Sequence, residues 1–323
     1  MCGGYDIALV NITFGVFLPF YALNVDGDTA PFAFFRQIVL ECERLGYSSV
    51  HLDDHLMYKK TPILECWTTL SALSTVTARI RLGTTVLSAS FRNPALLAKM
   101  AATLDVISNG RLDLGVGAGV QETEHVAYGF PFSKPSVRIE RLKEAVIILK
   151  KLWTEEKVTY VGNYYKIQDA VCQPKPVQKP HPPLTIGGSG EKLALKLQAE
   201  NADRVDWGYL PTIELYEHKL QRLQDYCNAV GRDFYDIEKS AWLGGQVFIA
   251  ETQYELSRKI QQWKPEGVTV DDFKKHNFVG TPDECSEKIQ KYTDLGVTHF
   301  LLFFGDFPHT DGLRIFAEKI IKP

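Results

Sequence analysis

One unit recurs along this chain: a short apolar or β-branched run, a break rich in glycine or aspartate, then a stretch whose apolar residues return at helical spacing. Eight such runs read as strands, at residues 12–18, 48–52, 80–87, 111–116, 184–186, 204–208, 240–249 and 298–304. A strand followed by a helix and another strand makes a parallel pair, because the helix carries the chain back to the edge where it started. Eight of these units in 323 residues predict an α/β protein, a closed (β/α)8 TIM barrel, in preference to an open doubly wound sheet.

Helix punctuation supports the reading. Pro31 opens the first helix, with Phe34, Phe35, Ile38, Val39, Cys42 and Leu45 on one face and Gly46 as its stop. Asn93-Pro94 caps and starts another helix, and Thr281-Pro282-Asp283-Glu284 spells a capping box. Residues 138–153 keep the helical step throughout, and a helix is expected over 191–199. Two stretches interrupt the alternation. Residues 157–183 predict a hairpin, 158–161 against 164–167 about Gly162-Asn163, followed by a proline-rich arm, and residues 264–280 form a second polar insertion. Both are expected to be pocket loops or dimer contacts on a single domain spanning 1–323.

Composition narrows the function classes. A net charge of −3 gives no electrostatic case for nucleic acid or an anionic membrane, and Lys59-Lys60 and Lys274-Lys275 are too short to act as basic patches. The six cysteines form no CxxC pair, which predicts reduced thiols and a cytoplasmic protein. The apolar stretch 14–23 is interrupted by Pro19 and follows no basic residue, so neither a signal peptide nor a membrane span is expected. No metal is expected, since HExxH and other ligand spacings are missing, and neither GxSxG nor a P-loop occurs.

Three segments can carry chemistry. Asp54-His55 follows the second strand and so falls at its carboxyl end, where parallel α/β folds place their reactions. An imidazole titrating near neutrality beside a carboxylate suits proton movement coupled to redox, and a capped turn with a packed histidine is the plainer alternative. Gly115-Val116-Gly117-Ala118-Gly119 lets backbone approach either a flat ligand or a neighbouring strand, and it lacks the Rossmann spacing. Gly187-Gly188-Ser189-Gly190 follows the fifth strand and opens the next helix, a turn able to cradle phosphate on backbone amides.

Taken together, the segments RLGTTVLSASFRNPALLAKMAATLDVISNGRLDLGVGAG (81–119), EHVAYGFPF (124–132), YVGNYYKI, PKPVQKPHPPLTIGGSG and the aspartate of ENADR resemble the luciferase-like monooxygenase superfamily. Within it the chain is most similar to the coenzyme F420-dependent oxidoreductases. The resemblance implies a deazaflavin ring at the carboxyl end of the barrel and hydride transfer between its C5 position and a small organic substrate. It implies Asp54 and His55 beside the ring, with His55 as proton partner, and a non-prolyl cis peptide at Thr85-Val86 with Ser88 just beyond. It also implies Gly117, Ala118 and Gly119 as the close-approach strand, Gly187, Gly188, Ser189 and Gly190 as the phosphate turn, and a homodimer. One departure stands out: relatives carry tryptophan or an acidic glutamate where this chain has Val120, which cannot act as an acid. The alternatives within and beyond the family are an FMN-dependent monooxygenase on the same barrel and a non-catalytic flavin-binding protein.

Overall fold

A computed structural model describes residues 12–22, 32–59 and 61–322. Eight parallel strands close into a barrel: β1 (Thr13–Phe17), β2 (Ser49–Leu52), β3 (Arg81–Thr84), β4 (Leu112–Gly117), β5 (Leu184–Gly187), β6 (Arg204–Asp206), β7 (Glu238–Trp242) and β8 (His299–Leu302). Each strand pairs with its sequence neighbours, and β8 closes on β1 through Thr13 opposite His299 and Val16 opposite Leu302. The strands are buried along nearly their whole length, as expected where helices cover one face and the barrel lumen the other.

Helices return the chain between strands. They include α1 (Phe32–Leu45), α2 (Cys66–Ser74), α3 (Pro94–Ile107), α4 (Glu122–Ala127), α5 (Pro135–Thr154), α6 (Ala194–Asn201) and α7 (Ile213–Val230). Asn93 caps α3 as expected, its side-chain oxygen accepting from the Ala95 and Leu96 amides. The Pro31 start of α1 lies outside the described residues. No helix among the described residues is long and apolar enough to cross a membrane.

Three strand expectations need correction. The third run stops at Thr84, and after the Thr85-Val86 peptide, which is cis, Leu87–Ser88 forms a separate short strand beside β4. The run 240–249 is two strands, because Gly244 (φ +74) turns the backbone after β7 and Val247–Ile249 pairs with Phe278–Gly280 in a sheet of its own. In the hairpin, Val158–Val161 pairs with Lys166–Ala170, a later start than its sequence suggested.

The two insertions lie away from the cavity described below, and neither contributes a residue to its wall. The arm of the first runs past the amino ends of the strands, where the Gln178 amide group donates to Leu112 O and Asp105 Oδ1. The second holds α9 (Val270–His276), which with α8 (Gln253–Trp263) covers the small sheet through Phe248, Leu256, Ile260, Phe273 and Val279. The polar residues of 264–280 thus surround an apolar core of their own. Two further helices, α10 (Pro282–Asp294) and α11 (Asp311–Phe316), complete the shell.

The lower lumen is polar. Asp113 accepts from Arg81 Nε (2.9 Å) and lies 3.5 Å from Arg204 Nη1. Burial alone would raise this carboxyl, but Arg204 and Arg81 outweigh it and hold it well below the ordinary carboxylate range. Above this layer the strands open into the cavity that concerns function.

Candidate active site

At the carboxyl ends of β2 to β5 lies a cavity of about 710 Å³, large enough for a drug-sized or cofactor-sized molecule. Every residue singled out from the sequence lines it: Asp54, His55, Thr85, Val86, Ser88, Gly117, Ala118, Gly119, Gly187, Gly188, Ser189 and Gly190. Val120 lines it too and is 78% exposed, at the rim.

Asp54 leaves β2 into a fixed position. Its Oδ2 accepts from the Ser88 amide (2.9 Å) and from Arg92 Nη1 (2.7 Å), and its Oδ1 accepts from Arg92 Nη2 (2.9 Å). The fork-to-fork pair ties the end of β2 to the loop after β3, holding the Thr85-Val86 segment against the cavity. Burial opposes the Arg92 charge, but its hydrogen bonds to Asp54 and the nearby Glu65 more than offset this and keep the guanidinium charged. Asp53, next to it, faces the cavity and is buried. That burial pushes its carboxyl up from 3.8 to about 6, against the pull of His55 and the Phe20 amide that donates to Oδ1.

His55 is oriented by a partner 69 residues away. Its Nδ1 donates to Glu124 Oε1 at 3.0 Å, while Glu124 Oε2 accepts from the Leu56 amide at 2.9 Å. With Nδ1 carrying the proton, Nε2 is the free acceptor, and it has no hydrogen bond among the described residues. His125, one position on along α4, is fully buried on the same wall. Its Nδ1 donates to Gln121 O (2.7 Å), leaving Nε2 without a protein partner.

The glycines divide by role. A Cβ at Gly117 would stand 2.7 Å from Val86 Cγ2, and one at Gly187 would stand 2.9 Å from the same atom. These two make room for Val86 on the lumen side of the cavity, so the close approach read from Gly117 is to a neighbouring segment. Gly188 differs: its φ of +120° excludes other residues, and a Cβ there would meet only Ala194 at 3.4 Å.

The turn after β5 is tied back by its carbonyls. Gln198 Nε2 donates to Gly188 O (2.8 Å) and Ile186 O (2.9 Å), and the buried Lys219 of α7 donates to Ser189 O (2.7 Å). The amides of residues 188–193 donate to no protein acceptor among the described residues. Helix α6 starts at Ala194, later than expected, and this lengthens the run of free amides. Unpaired N–H groups beside a cavity and a helix N-terminus are what a phosphate oxygen requires.

Sequence reasoning missed Asp53, Arg92, Glu124, His125, Gln198 and Lys219. Glu124 and His125 lay inside the quoted EHVAYGFPF segment but carried no local signal of a cavity. Gln198 and Lys219 sit within helices whose facing strand could not be known beforehand. Among the described residues, no group of side chains is arranged to hold a metal ion.

The chain is 32% identical over 308 residues to an F420-dependent glucose-6-phosphate dehydrogenase of Microbacterium testaceum, covering 86% of this chain and 89% of that one. It is 32% identical over 315 residues to a Segniliparus rotundus protein of the same name, covering 88% and 91%. The solved structure of an F420-dependent secondary alcohol dehydrogenase with an F420-acetone adduct superposes with a TM-score of 0.80, covering 96% of this chain and 98% of that one at 21% identity, a likeness of fold. The luciferase-like monooxygenase profile matches residues 12–277, and the chain belongs to that family.

Proposed function

We propose that this protein is a coenzyme F420-dependent oxidoreductase that moves a hydride between the deazaflavin C5 and a small organic substrate. The observation that carries the reading is the pairing, in one cavity, of free amides at residues 188–193 with an oriented His55. The names of the curated relatives support the choice of cofactor. The residues fit the group. Gly188, Ser189 and Gly190 would offer amides to a phosphate, Val86 would offer an apolar surface to a flat ring, and Asp54 and His55 line the same cavity.

Bound here, the deazaflavin supplies a two-electron acceptor and donor; the chain supplies position and a proton partner. When a substrate alcohol is oxidised its hydroxyl proton must leave, and Nε2 of His55, oriented by Glu124 and without a hydrogen bond of its own, is the base that takes it, the fully buried His125 Nε2 being the other unpartnered ring nitrogen on this wall. In the reverse direction the same atom returns the proton to a forming alkoxide. Glu124 holds the imidazole with Nε2 available and stabilises the imidazolium. Asp54, locked by Arg92, positions the loop that carries Val86.

The test is an anaerobic equilibrium titration of the purified chain with coenzyme F420 and, separately, with FMN. The expected result is saturable binding of F420 with no detectable binding of FMN. The reverse result would assign the cavity to flavin.

A further inference from the structure

The proposed chemistry leaves the buried polar side chains of the lower lumen unused. They form a chain across four strands. Trp242 Nε1 (2.9 Å) and the Gly208 amide (2.8 Å) donate to Asp206 Oδ1 at the end of β6. Ser240 Oγ on β7 donates to Asp206 Oδ2 (2.9 Å) and lies 2.9 Å from His299 Nδ1 on β8. His299 Nε2 lies 3.4 Å from Ser49 Oγ, which in turn lies 3.1 Å from His51 Nε2, both on β2. Two glycines make room for it: a Cβ at Gly15 would collide with Ser49 Oγ, and one at Gly83 with the His51 ring.

Donor and acceptor counts give the chain one direction. The two N–H groups facing Asp206 can only donate, so its carboxylate accepts, and the Ser240 hydroxyl spends its one proton on Oδ2. Ser240 Oγ then accepts from His299 Nδ1–H, leaving His299 Nε2 to accept from the Ser49 hydroxyl. Ser49 Oγ accepts from His51 Nε2–H. Burial pushes both imidazoles toward the neutral form, with one N–H each. His51 Nδ1 is therefore an acceptor, and among the described residues it has no donor. His51 pairs in register with Gly83 and Gly83 with Asp113, so no side chain separates the imidazole from that carboxylate. Asp113 Oδ2 and Arg204 Nη1, 3.5 Å apart, are buried and likewise without a hydrogen bond.

We infer that the lower lumen binds one ordered water, which donates to His51 Nδ1 and Asp113 Oδ2, accepts from Arg204 Nη1, and ends a chain whose direction Asp206 sets. An anion there would face the imidazole lone pair and the carboxylate, and a metal cation would face the guanidinium. Water matches all three, and three hydrogen bonds are the usual number for a buried one.

The experiment is a crystal structure at a resolution that shows waters, joined to nitrogen-15 NMR of the imidazoles. A water peak within hydrogen-bonding distance of all three atoms is expected, with the ring proton on Nε2 of His51 and on Nδ1 of His299. Asp206→Asn turns an amide N–H toward Ser240, whose hydroxyl must then donate to His299 Nδ1. In that variant both tautomers are expected to reverse, to Nε2–H at His299 and Nδ1–H at His51. No density between the three atoms, a proton on Nδ1 of His51 in the unmodified protein, or tautomers unmoved in a folded Asp206→Asn variant would each overturn the inference. Should that variant fail to fold, the unmodified protein decides through its density and its tautomers.

Discussion

His55 and Glu124 meet at 3.0 Å, imidazole Nδ1 to carboxylate, although 69 residues separate them. The pair sets which ring nitrogen is left without a partner. His55→Ala should therefore lower turnover by roughly 10² to 10⁴-fold, with cofactor affinity changed far less. Glu124→Gln keeps an acceptor for Nδ1 but removes the charge that stabilises the imidazolium. It should lower kcat about tenfold or more and shift the kcat–pH profile. A profile superimposable on that of the unmodified protein would show that Glu124 only supports the loop.

Asp53 gives a pH signature in stability. Its folded-state pKa, about 6, lies above the unfolded value, so the folded state holds a proton that the unfolded state releases. The cost of burying the charge therefore appears as pH rises from about 4 to 6 and is fully present above that, on the order of 3 kcal/mol. Asp53→Asn does not titrate. Denaturant unfolding of both proteins should show the asparagine variant gaining relative stability by about that amount between pH 4 and pH 7. A pH-independent difference would refute the shift.

His51, in the lower lumen, has the opposite sign. Burial pushes its pKa down to about 4 against a partial pull from Asp113, so it is neutral when folded. No stability is lost to it above pH 6.5. As pH falls from 6.5 to 4 the unfolded chain takes up the proton first, and folding loses on the order of 3 kcal/mol. The His51→Gln variant should lack that loss in acid titrations of stability. Equal acid sensitivity of the two proteins would exclude His51 as its source.

The turn after β5 is held by groups that touch no ligand themselves. Removing the Gln198 amide in Gln198→Leu frees the carbonyls of Gly188 and Ile186, and Lys219→Met frees that of Ser189. Each should raise the Kd for coenzyme F420 about tenfold while leaving the kcat of the saturated enzyme nearly unchanged. An unchanged Kd in both variants would show that the phosphate is held elsewhere.

Much of the barrel could be read from the chain, for a physical reason. Strands buried on both faces form continuous apolar runs, and surface helices carry a stripe, so the two periods separate cleanly. Where the backbone turns without losing hydrophobicity, the signal fails. Residues 240–249 look like one strand because 241–243 and Val247–Ile249 are both apolar and only Gly244-Gly245-Gln246 divides them. The 264–280 insertion reads as polar because its core contacts, Phe273 and Val279, are supplied with partners from Val247–Ile249 and α8. At the cavity, glycine-rich turns and Asp54-His55 announce themselves locally. Glu124 and Lys219 act across 69 and 30 residues, and only the folded barrel brings them to His55 and Ser189, while Gln198 reaches back 10 residues from within a helix to Gly188.

The most direct test is a crystal structure of the protein grown with excess coenzyme F420. The account predicts density for the three-ring system against Val86, with one edge at His55 and the phosphate within hydrogen-bonding distance of the Gly188, Ser189 and Gly190 amides. Density for the cofactor outside this cavity, or a ring placed away from both Val86 and His55, would contradict it.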